Sequence, residues 1–236
     1  MKNREEEIYF IDNEWADVQA HLRAWYDNDF WRGYDARPEY VWWRWARWHL
    51  EFMMGFYEPP NGASGLPAAL DLGGGYMIDA LQKMGLLSAF MRRLGACYSL
   101  IDPEAEWVRR AKGHLSGHDG VMFRCAPCER PFPAPVHGGF DVVLSLGALD
   151  HMVSPLQVLK NARSALRPDG RLFLGVGAFR DDVPFDTDDD TATWQWKKKG
   201  LVEMVETAGL TVRRAEESNI LRMKKAALVY IEATPK

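Results

Sequence analysis

The chain has 236 residues, with 33 acidic and 29 basic side chains and a formal net charge of −4. This length suits one α/β domain with an extension. The charge balance and the absence of a Lys/Arg block argue against nucleic acid as a partner. Three cysteines cannot form a paired disulfide framework. Since no signal peptide and no apolar run of membrane-spanning length is present, we expect a soluble, cytoplasmic protein with no membrane contact.

Residues 1–57 are unusually rich in aromatic side chains. They hold seven of the ten tryptophans: Trp15, Trp25, Trp31, Trp42, Trp43, Trp45 and Trp48. The apolar spacing over 15–25 predicts one amphipathic helix, and Pro38 could begin a second over 39–57. That second helix is apolar on more than one side, so we expect a helical cap packed on the next domain. Whether some rings also line a ligand pocket or a homodimer contact stays open.

A glycine-rich turn follows a linker at 58–68, which holds three prolines and two glycines. Residues 69–72 predict a strand, and three glycines follow at 73–75, where the chain can turn sharply and a ligand can approach the backbone. No Lys-Ser/Thr pair follows, and Ile78 stands where a dinucleotide loop needs a third Gly or Ala. The turn therefore indicates a cofactor loop of another kind, opening a domain over 69–236.

The remaining chain alternates helical and extended patterns, which indicates an α/β sheet domain. Helices are predicted over residues 77–94 (with a possible break at Gly85), 104–114, from 155 and over 196–208. Strands are predicted over 97–101, 121–123, 140–146, after a turn at 166–170, over 210–214 and over 226–234.

In this order, the motifs resemble those of the class I S-adenosylmethionine-dependent methyltransferases. The family's acidic-x-Gly-x-Gly motif corresponds to Asp71, Gly73 and Gly75, and its leucine-x-proline-Gly-Gly turn corresponds to residues 166–170, with Asp169 in place of one glycine. The resemblance implies S-adenosyl-L-methionine as cofactor. It also implies a Rossmann-like, doubly wound sheet of seven strands with one antiparallel strand near the edge.

The resemblance further implies a set of site residues. The cofactor-binding residues are Asp71, Gly73, Gly74, Gly75, Asp102, Pro103, Ala126, Ser145 and Leu146. Asp71 can help hold the cofactor's amino group, and Asp102 can accept from both ribose hydroxyls, although Asp102 could instead cap the next helix. Ala126 replaces the adenine-binding Asp of the family, so backbone groups or Glu129 would hold adenine.

The implied reaction is in-line transfer of a sulfonium methyl group to a small-molecule acceptor. Net acidity and the aromatic cap favour a neutral or cationic acceptor, with a hydroxyl preferred to an amine. His151 is then the candidate general base, oriented by Asp150, or it packs beneath the cofactor loop without catalysing. The alternative is a cofactor-binding regulatory or partner protein without transfer, which Ala126 and Met77, in place of a third family glycine, would favour.

Two clusters could suggest a metal. Six aspartates lie between 181 and 190, but their spacing is not that of an EF-hand, and a solvated acidic loop is the preferred interpretation. Cys125-x-x-Cys128 lacks a second pair and a nearby histidine. We therefore expect no metal site.

Overall fold

The computed structural model describes residues 46, 49–50, 55–58, 67–117, 122–132, 139–179, 194, 196–218 and 226–236. The helix predicted at 15–25, most of the linker and the aspartates at 181–190 lie outside these residues. Ala46, His49, Leu50, Gly55 and Phe56 are helical, in agreement with the second helix predicted over 39–57.

Strands and helices alternate along the described chain. The strands are β1 (Ala68–Leu72), β2 (Cys97–Asp102), β3 (Met122–Cys125), β4 (Phe140–Leu146), β5 (Leu166–Phe179), β6 (Leu210–Ser218) and β7 (Ala226–Pro235). The helices are α1 (Gly75–Lys83), α2 (Leu87–Leu94), α3 (Ala105–His114), α4 (Pro155–Ala165) and α5 (Lys198–Thr207), with a short 3₁₀ helix at Leu149–His151.

The strands form one seven-stranded sheet in the order β3-β2-β1-β4-β5-β7-β6. β1 pairs in parallel with both β2 and β4, whereas β7 runs antiparallel to both β5 and β6. This is the predicted doubly wound sheet with one antiparallel strand next to the edge. Because the chain leaves β1 toward β2 and later returns to β4 on the other side, a cleft is expected at the carboxyl end of β1.

Several other bounds shift by one to four residues, and two elements differ in character from the sequence-based expectation. The helix expected from 77 begins at Gly75 and is divided in two, since Gly85 adopts a left-handed φ of +70° between α1 and α2. The turn expected at 166–170 lies inside β5. There, the pairing of Leu166 with Phe140 shifts register before Arg171 pairs with Val142.

The core lies on both faces of the sheet. Alternation along β1 sends Leu70 and Leu72 to the α4–α5 face and Ala69 to the α1–α3 face. Residues from the predicted cap join the second of these clusters. The Tyr57 hydroxyl donates to the carbonyl of Leu94 at 2.8 Å, and its ring meets Phe173 edge-on at 4.9 Å between centroids.

A buried amide on α4 holds the loop that follows β3. The side-chain nitrogen of Asn161 donates to the carbonyls of Cys128, Glu129 and Arg130 at 2.8–2.9 Å. This loop reaches the carboxyl edge of the sheet, where the Ala126 N–H donates to the carbonyl of Asp102 at 3.1 Å. Asn161 therefore fixes one wall of the cleft from beneath.

We expect Asn161→Ala to lower the free energy of unfolding by about 1–3 kcal/mol, because it leaves three buried carbonyls without their amide donor. Urea unfolding at constant pH measures the effect. Ser164→Ala is the matched control on the same helix. Its hydroxyl is exposed and bonds only to the carbonyl of Lys160, so the change should stay within about 0.5 kcal/mol. Equal losses in the two variants would show that the loop does not depend on Asn161.

Candidate functional site

The glycine turn after β1 is packed so tightly that side chains are excluded. Gly73 has a φ of +80°, and a Cβ placed on it would lie 2.6 Å from the Cβ of Ala148. A Cβ on Gly75 would lie 2.6 Å from the Cβ of Trp107. Residue identity here is thus set by backbone conformation and by close approach. The turn leaves the backbone of the first turn of α1 next to the carboxyl ends of β1 and β2.

Asp71 lies directly beneath this turn. A Cβ on Gly74 would fall on the carboxylate of Asp71, whose Oδ2 accepts from the Tyr98 hydroxyl at 2.7 Å. The other oxygen, Oδ1, is buried and has no hydrogen-bond partner among the described residues. A buried carboxylate oxygen in this state is costly. It is suited to accept from a ligand that brings its own donor.

Asp102 ends β2 and supports both neighbouring turns. Its Oδ2 accepts from the Gly75 N–H at 3.0 Å and its Oδ1 from the Glu104 N–H at 2.9 Å. The sequence left open whether Asp102 caps the next helix. The N-cap of α3 is instead Glu104, whose side chain accepts from the Glu106 N–H. Each oxygen of Asp102 keeps a second acceptor position. Asp102 can therefore hold its two turns and still receive ligand hydroxyls.

Burial disfavours the ionised form of the Asp71 and Asp102 carboxyls. It raises the pKa of both Asp71 and Asp102 from about 3.8 to about 7. Hydrogen bonds from Tyr98 to Asp71, and from Glu104 and Gly75 to Asp102, oppose part of this increase, while the charge of Asp102 adds to it at Asp71. Without a ligand, the pair is only partly ionised near neutral pH.

The loop after β3 carries the two thiols and Ala126. The Cys125 thiol lies 3.5 Å from the carbonyl of Pro103, and the buried Cys128 thiol lies 3.6 Å from the carbonyl of Ile101. Both thiols thus contact backbone carbonyls. Across 67–117, 122–132 and the other described ranges, no group of three His, Cys, Asp or Glu side chains is arranged to hold a metal ion.

Glu129 accepts a hydrogen bond close to the start of α4. Its Oε1 accepts from the Val153 N–H at 2.9 Å, just before α4, and the residue is buried. Ser154 occupies the N-cap position of α4, but its side chain makes no capping bond. Glu129 supplies an acceptor at this helix start instead. Its Oε2 is buried without a hydrogen-bond partner among the described residues, so the interpretation in which Glu129 holds adenine remains a prediction.

At the end of β4, the predicted residues Ser145 and Leu146 are both buried. The Ser145 hydroxyl donates to the carbonyl of Leu72 at 3.1 Å and so ties β4 to β1. Gly147 follows with a φ of +67°, and its N–H donates to the carbonyl of Gly175 at 2.7 Å. The side chains of Ser145 and Leu146 shape this edge from within the sheet.

The predicted catalytic pair lies just beyond, in the 3₁₀ helix. His151 Nε2 is 3.8 Å from Asp150 Oδ2, which is an ion-pair distance but too long for a hydrogen bond. Trp194 holds this segment, since its N–H donates to the carbonyl of Asp150 at 3.0 Å and its indole nitrogen to that of Met152 at 2.8 Å. The two side chains are adjacent, but Asp150 does not orient the imidazole through a hydrogen bond.

One polar residue at this edge escaped the sequence analysis. His49 is completely buried beside Gly147 and Gly175. A histidine within the apolar pattern of the helix predicted over 39–57 was the available signal.

No helix among the described residues is both long and apolar enough to cross a membrane.

Residues 73–174 match the methyltransferase domain family. The ubiquinone biosynthesis O-methyltransferase of Xanthomonas oryzae pv. oryzae (strain PXO99A) is 36% identical over 110 residues, which are 46% of this chain and 46% of that protein. The chain therefore matches less than half the length of this curated relative.

Solved structures share the fold. The 1,6-didemethyltoxoflavin-N1-methyltransferase of Burkholderia thailandensis, with 1,6-didemethyltoxoflavin and S-adenosylhomocysteine bound, superposes with a TM-score of 0.61 at 22% identity, covering 95% of this chain and 90% of that one. The [4+2]-cyclase SpnF gives 0.64 at 15% identity, covering 84% and 85%. Over residues 73–174 the chain is similar to methyltransferase domains, and it shares the fold of the solved structures, in agreement with the class I S-adenosylmethionine-dependent family and the cofactor that the motifs predicted.

The buried carboxyls give the cofactor-free protein a definite pH dependence. Since the folded-state pKa values of Asp71 and Asp102 lie above the ordinary 3.8, their stabilising contribution is full below about pH 3.8 and is lost as the pH rises through about 7. We expect the free energy of unfolding to fall between about pH 4 and pH 7, by up to about 1.4 kcal/mol per pH unit for each group, and to level off above about pH 7.

Asp71→Asn and Asp102→Asn should each flatten this slope, because an amide does not titrate. Urea unfolding at about pH 5, 6, 7 and 8 measures it. Asp169→Asn, at an exposed carboxyl in the β5 turn, is the matched control and should keep the parent slope. A parent slope in both cleft variants would contradict the raised pKa values.

Proposed function

We propose that this protein transfers the methyl group of S-adenosylmethionine to a hydroxyl of a small molecule. The observation that carries the proposal is the glycine turn at 73–75, packed against the buried carboxylates of Asp71 and Asp102. A cationic, donor-rich nucleoside cofactor complements this arrangement, whereas a pyrophosphate would be repelled by it.

The described residues fit such a cofactor. Asp102 would receive the ribose hydroxyls on its remaining acceptor positions, and the unpartnered Oδ1 of Asp71 would accept from the amino group. The backbone of Gly73, Gly74 and Gly75 would lie along the amino-acid part. Pro103 and Ala126, with Ser145 and Leu146 shaping the edge of β4, would surround the remaining cofactor surface.

When bound, S-adenosylmethionine supplies a methyl group on a positively charged sulfur. The protein must then place an acceptor in line behind that methyl group and exclude water. Alignment of this kind contributes as much as about 7–11 kcal/mol in favourable intramolecular models. We assign alignment to the glycine edge and to residues 1–57 as a cap on the acceptor side. The packing of Leu50, Phe56 and Tyr57 into the α1–α3 core supports this role for the cap.

A hydroxyl acceptor is supported by the name of the Xanthomonas relative, an O-methyltransferase, and by this chain's net negative charge. The fold alone supports no particular acceptor, since the Burkholderia structure is that of an N1-methyltransferase. The role of His151 as a base with Asp150 remains a prediction. Homodimer formation through the aromatic residues of 1–57 also remains a prediction.

The competing function is cofactor binding without methyl transfer. Ala126 at the adenine position favours it. A protein of the same fold, SpnF, is named as a [4+2]-cyclase, so the fold alone does not imply methyl transfer. Cofactor binding and product formation must therefore be tested separately.

For binding, we expect Asp102→Ala to weaken S-adenosylhomocysteine affinity by about 5- to 150-fold, corresponding to loss of a charge-assisted hydrogen bond of about 1–3 kcal/mol. Isothermal calorimetry at about pH 8, where the carboxyl is ionised, measures it. Asp169→Ala is the matched control and should bind like the parent. Unchanged affinity in a folded Asp102→Ala protein would refute the ribose assignment.

For transfer, we expect a product heavier by one labelled methyl group when the parent is incubated with methyl-deuterated S-adenosylmethionine and a probe set of catechol, 4-hydroxybenzoate and sarcosine. Mass spectrometry identifies the product, and host metabolite extract extends the set. Methylation of a phenol supports the proposal. Methylation of sarcosine alone would exclude a hydroxyl acceptor, and tight cofactor binding without any product would favour the competing function.

A further inference from the structure

His49 is a buried imidazole at the carboxyl edge of the sheet. Its side chain has no solvent exposure, and its ring meets that of Tyr230 on β7 edge-on, with centroids 5.7 Å apart. The residue belongs to the helical segment that precedes the linker, yet it reaches across to β4, β5 and β7. It is thus the polar group that the preceding segment brings to the middle of the domain.

Two glycines make room for this ring. A Cβ on Gly175 would lie 2.8 Å from both Cε1 and Nδ1 of His49, and a Cβ on Gly147 would lie 3.0 Å from its Nε2. Gly147 and Gly175 are themselves joined by a backbone hydrogen bond. Any larger residue at either position would collide with the imidazole. The ring therefore rests on a glycine shelf, defined here as Gly147 and Gly175.

A hydroxyl from the cofactor loop meets His49 at this shelf. The Tyr76 oxygen lies 2.5 Å from the same Cβ position on Gly147 that His49 Nε2 approaches at 3.0 Å. Tyr76 directly follows Gly75 in the first turn of α1. The two polar atoms thus converge on one point from two elements, the preceding helical segment and the glycine-loop helix.

This point borders the cofactor turn. Ala148 follows Gly147, and its Cβ is the atom that a side chain on Gly73 would strike. The His49 and Tyr76 atoms therefore lie on the β4–β5 side of the turn, opposite Asp102 at the end of β2. The two polar atoms thus border the turn that we assign to the cofactor.

The protonation state of His49 suits a site next to a positively charged sulfur. Burial lowers the pKa of His49 to about 3, so the ring is neutral at physiological pH. A neutral ring does not repel a sulfonium, and one of its nitrogens is always a hydrogen-bond acceptor. The imidazole can thus accept a hydrogen bond from the hydroxyl of the acceptor, which leaves a lone pair on the hydroxyl oxygen free to face the methyl group.

We propose that His49 is a catalytic residue of this protein, which accepts the proton of a phenolic hydroxyl acceptor at the glycine shelf with Tyr76 beside it. The proposal rests on the proposed function and specifies its acceptor site. It assigns to His49 the role that the sequence predicted for His151.

The bonds and charges balance in one displacement. The acceptor oxygen forms its bond to the methyl carbon, the carbon–sulfur bond breaks, and its electron pair remains on sulfur. As the oxygen–carbon bond forms, the O–H bond of the acceptor breaks, and its proton passes to a nitrogen of His49. Because an alkylated hydroxyl oxygen carries positive charge and is a very strong acid, a weakly basic imidazole suffices to take its proton.

The test compares His49→Phe, which fills the space without a polar atom, with His49→Gln, which restores a hydrogen-bond acceptor. With the phenol of the probe set that the parent methylates, we expect kcat/KM to fall by about 100-fold or more in His49→Phe, and by about 10-fold in His49→Gln. Affinity for S-adenosylhomocysteine, measured by calorimetry, should stay within about threefold of the parent in both.

Gly175→Ala adds a Cβ that would collide with the His49 ring and displace it. This variant should therefore also lower kcat/KM by at least about 10-fold. Gly113→Ala is its matched control, since a Cβ on Gly113 meets nothing within 4 Å. Nitrogen NMR of ¹⁵N-histidine-labelled protein gives a readout without turnover. Adding the phenol to protein saturated with S-adenosylhomocysteine should shift the His49 imidazole nitrogens, assigned by their loss in His49→Gln.

The outcomes separate the two proposals. If the parent methylates no phenol, the hydroxyl acceptor and the role of His49 both fail. If the parent methylates a phenol but folded His49→Phe keeps more than a third of its kcat/KM, only the role of His49 fails. If His49→Phe does not fold, His49→Gln at the parent rate together with an unshifted His49 resonance would overturn the proposal.

Discussion

The burial of Asp71 under a turn of three glycines is the constraint on which the cleft depends. A Cβ on Gly74 would fall on the Asp71 carboxylate, while Ala148 excludes a side chain at Gly73 and Trp107 excludes one at Gly75. The same turn presents backbone N–H groups to Asp102 on the next strand and abuts Ala148 after β4. One close approach thus fixes the relative positions of three strand ends.

That arrangement stores an electrostatic cost, which a cofactor can relieve. Burial disfavours the ionised state of both carboxyls and raises their pKa values, and the charge of Asp102 adds to this effect at Asp71. A ligand that brings an ammonium group and two hydroxyls offsets the cost, whereas an anionic ligand would increase it. In this account, the chain gives up stability without ligand in return for selectivity among nucleotide cofactors.

Much of the fold could be predicted from the sequence because the deciding features are local. The strand ending at Leu72, the glycine turn and the buried strand at 140–146 are short patterns with one physical solution. The division of the helix at Gly85 was visible for the same reason. The bulge within β5 was not, since it depends on how residues 167–170 fit against Phe140, a contact that sequence spacing does not express.

The acceptor side that we propose was harder to predict because its residues come from distant segments. His49, Tyr76, Gly147 and Gly175 come from four separate elements, and none of them carries a motif that connects it with the others. His151 was selected because it follows β4 in sequence. Its side chain lies 3.8 Å from Asp150, so the expected orienting hydrogen bond is not made. The catalytic role of His151 therefore remains a prediction.

The central claim, that this glycine edge is a cofactor site built around two carboxylates, is tested most directly by a crystal structure with S-adenosylhomocysteine bound. We predict the ribose hydroxyls within hydrogen-bond distance of Asp102, and the ligand's amino group on the Oδ1 of Asp71. A ligand bound elsewhere, or one whose ribose contacts neither oxygen of Asp102, would contradict the account.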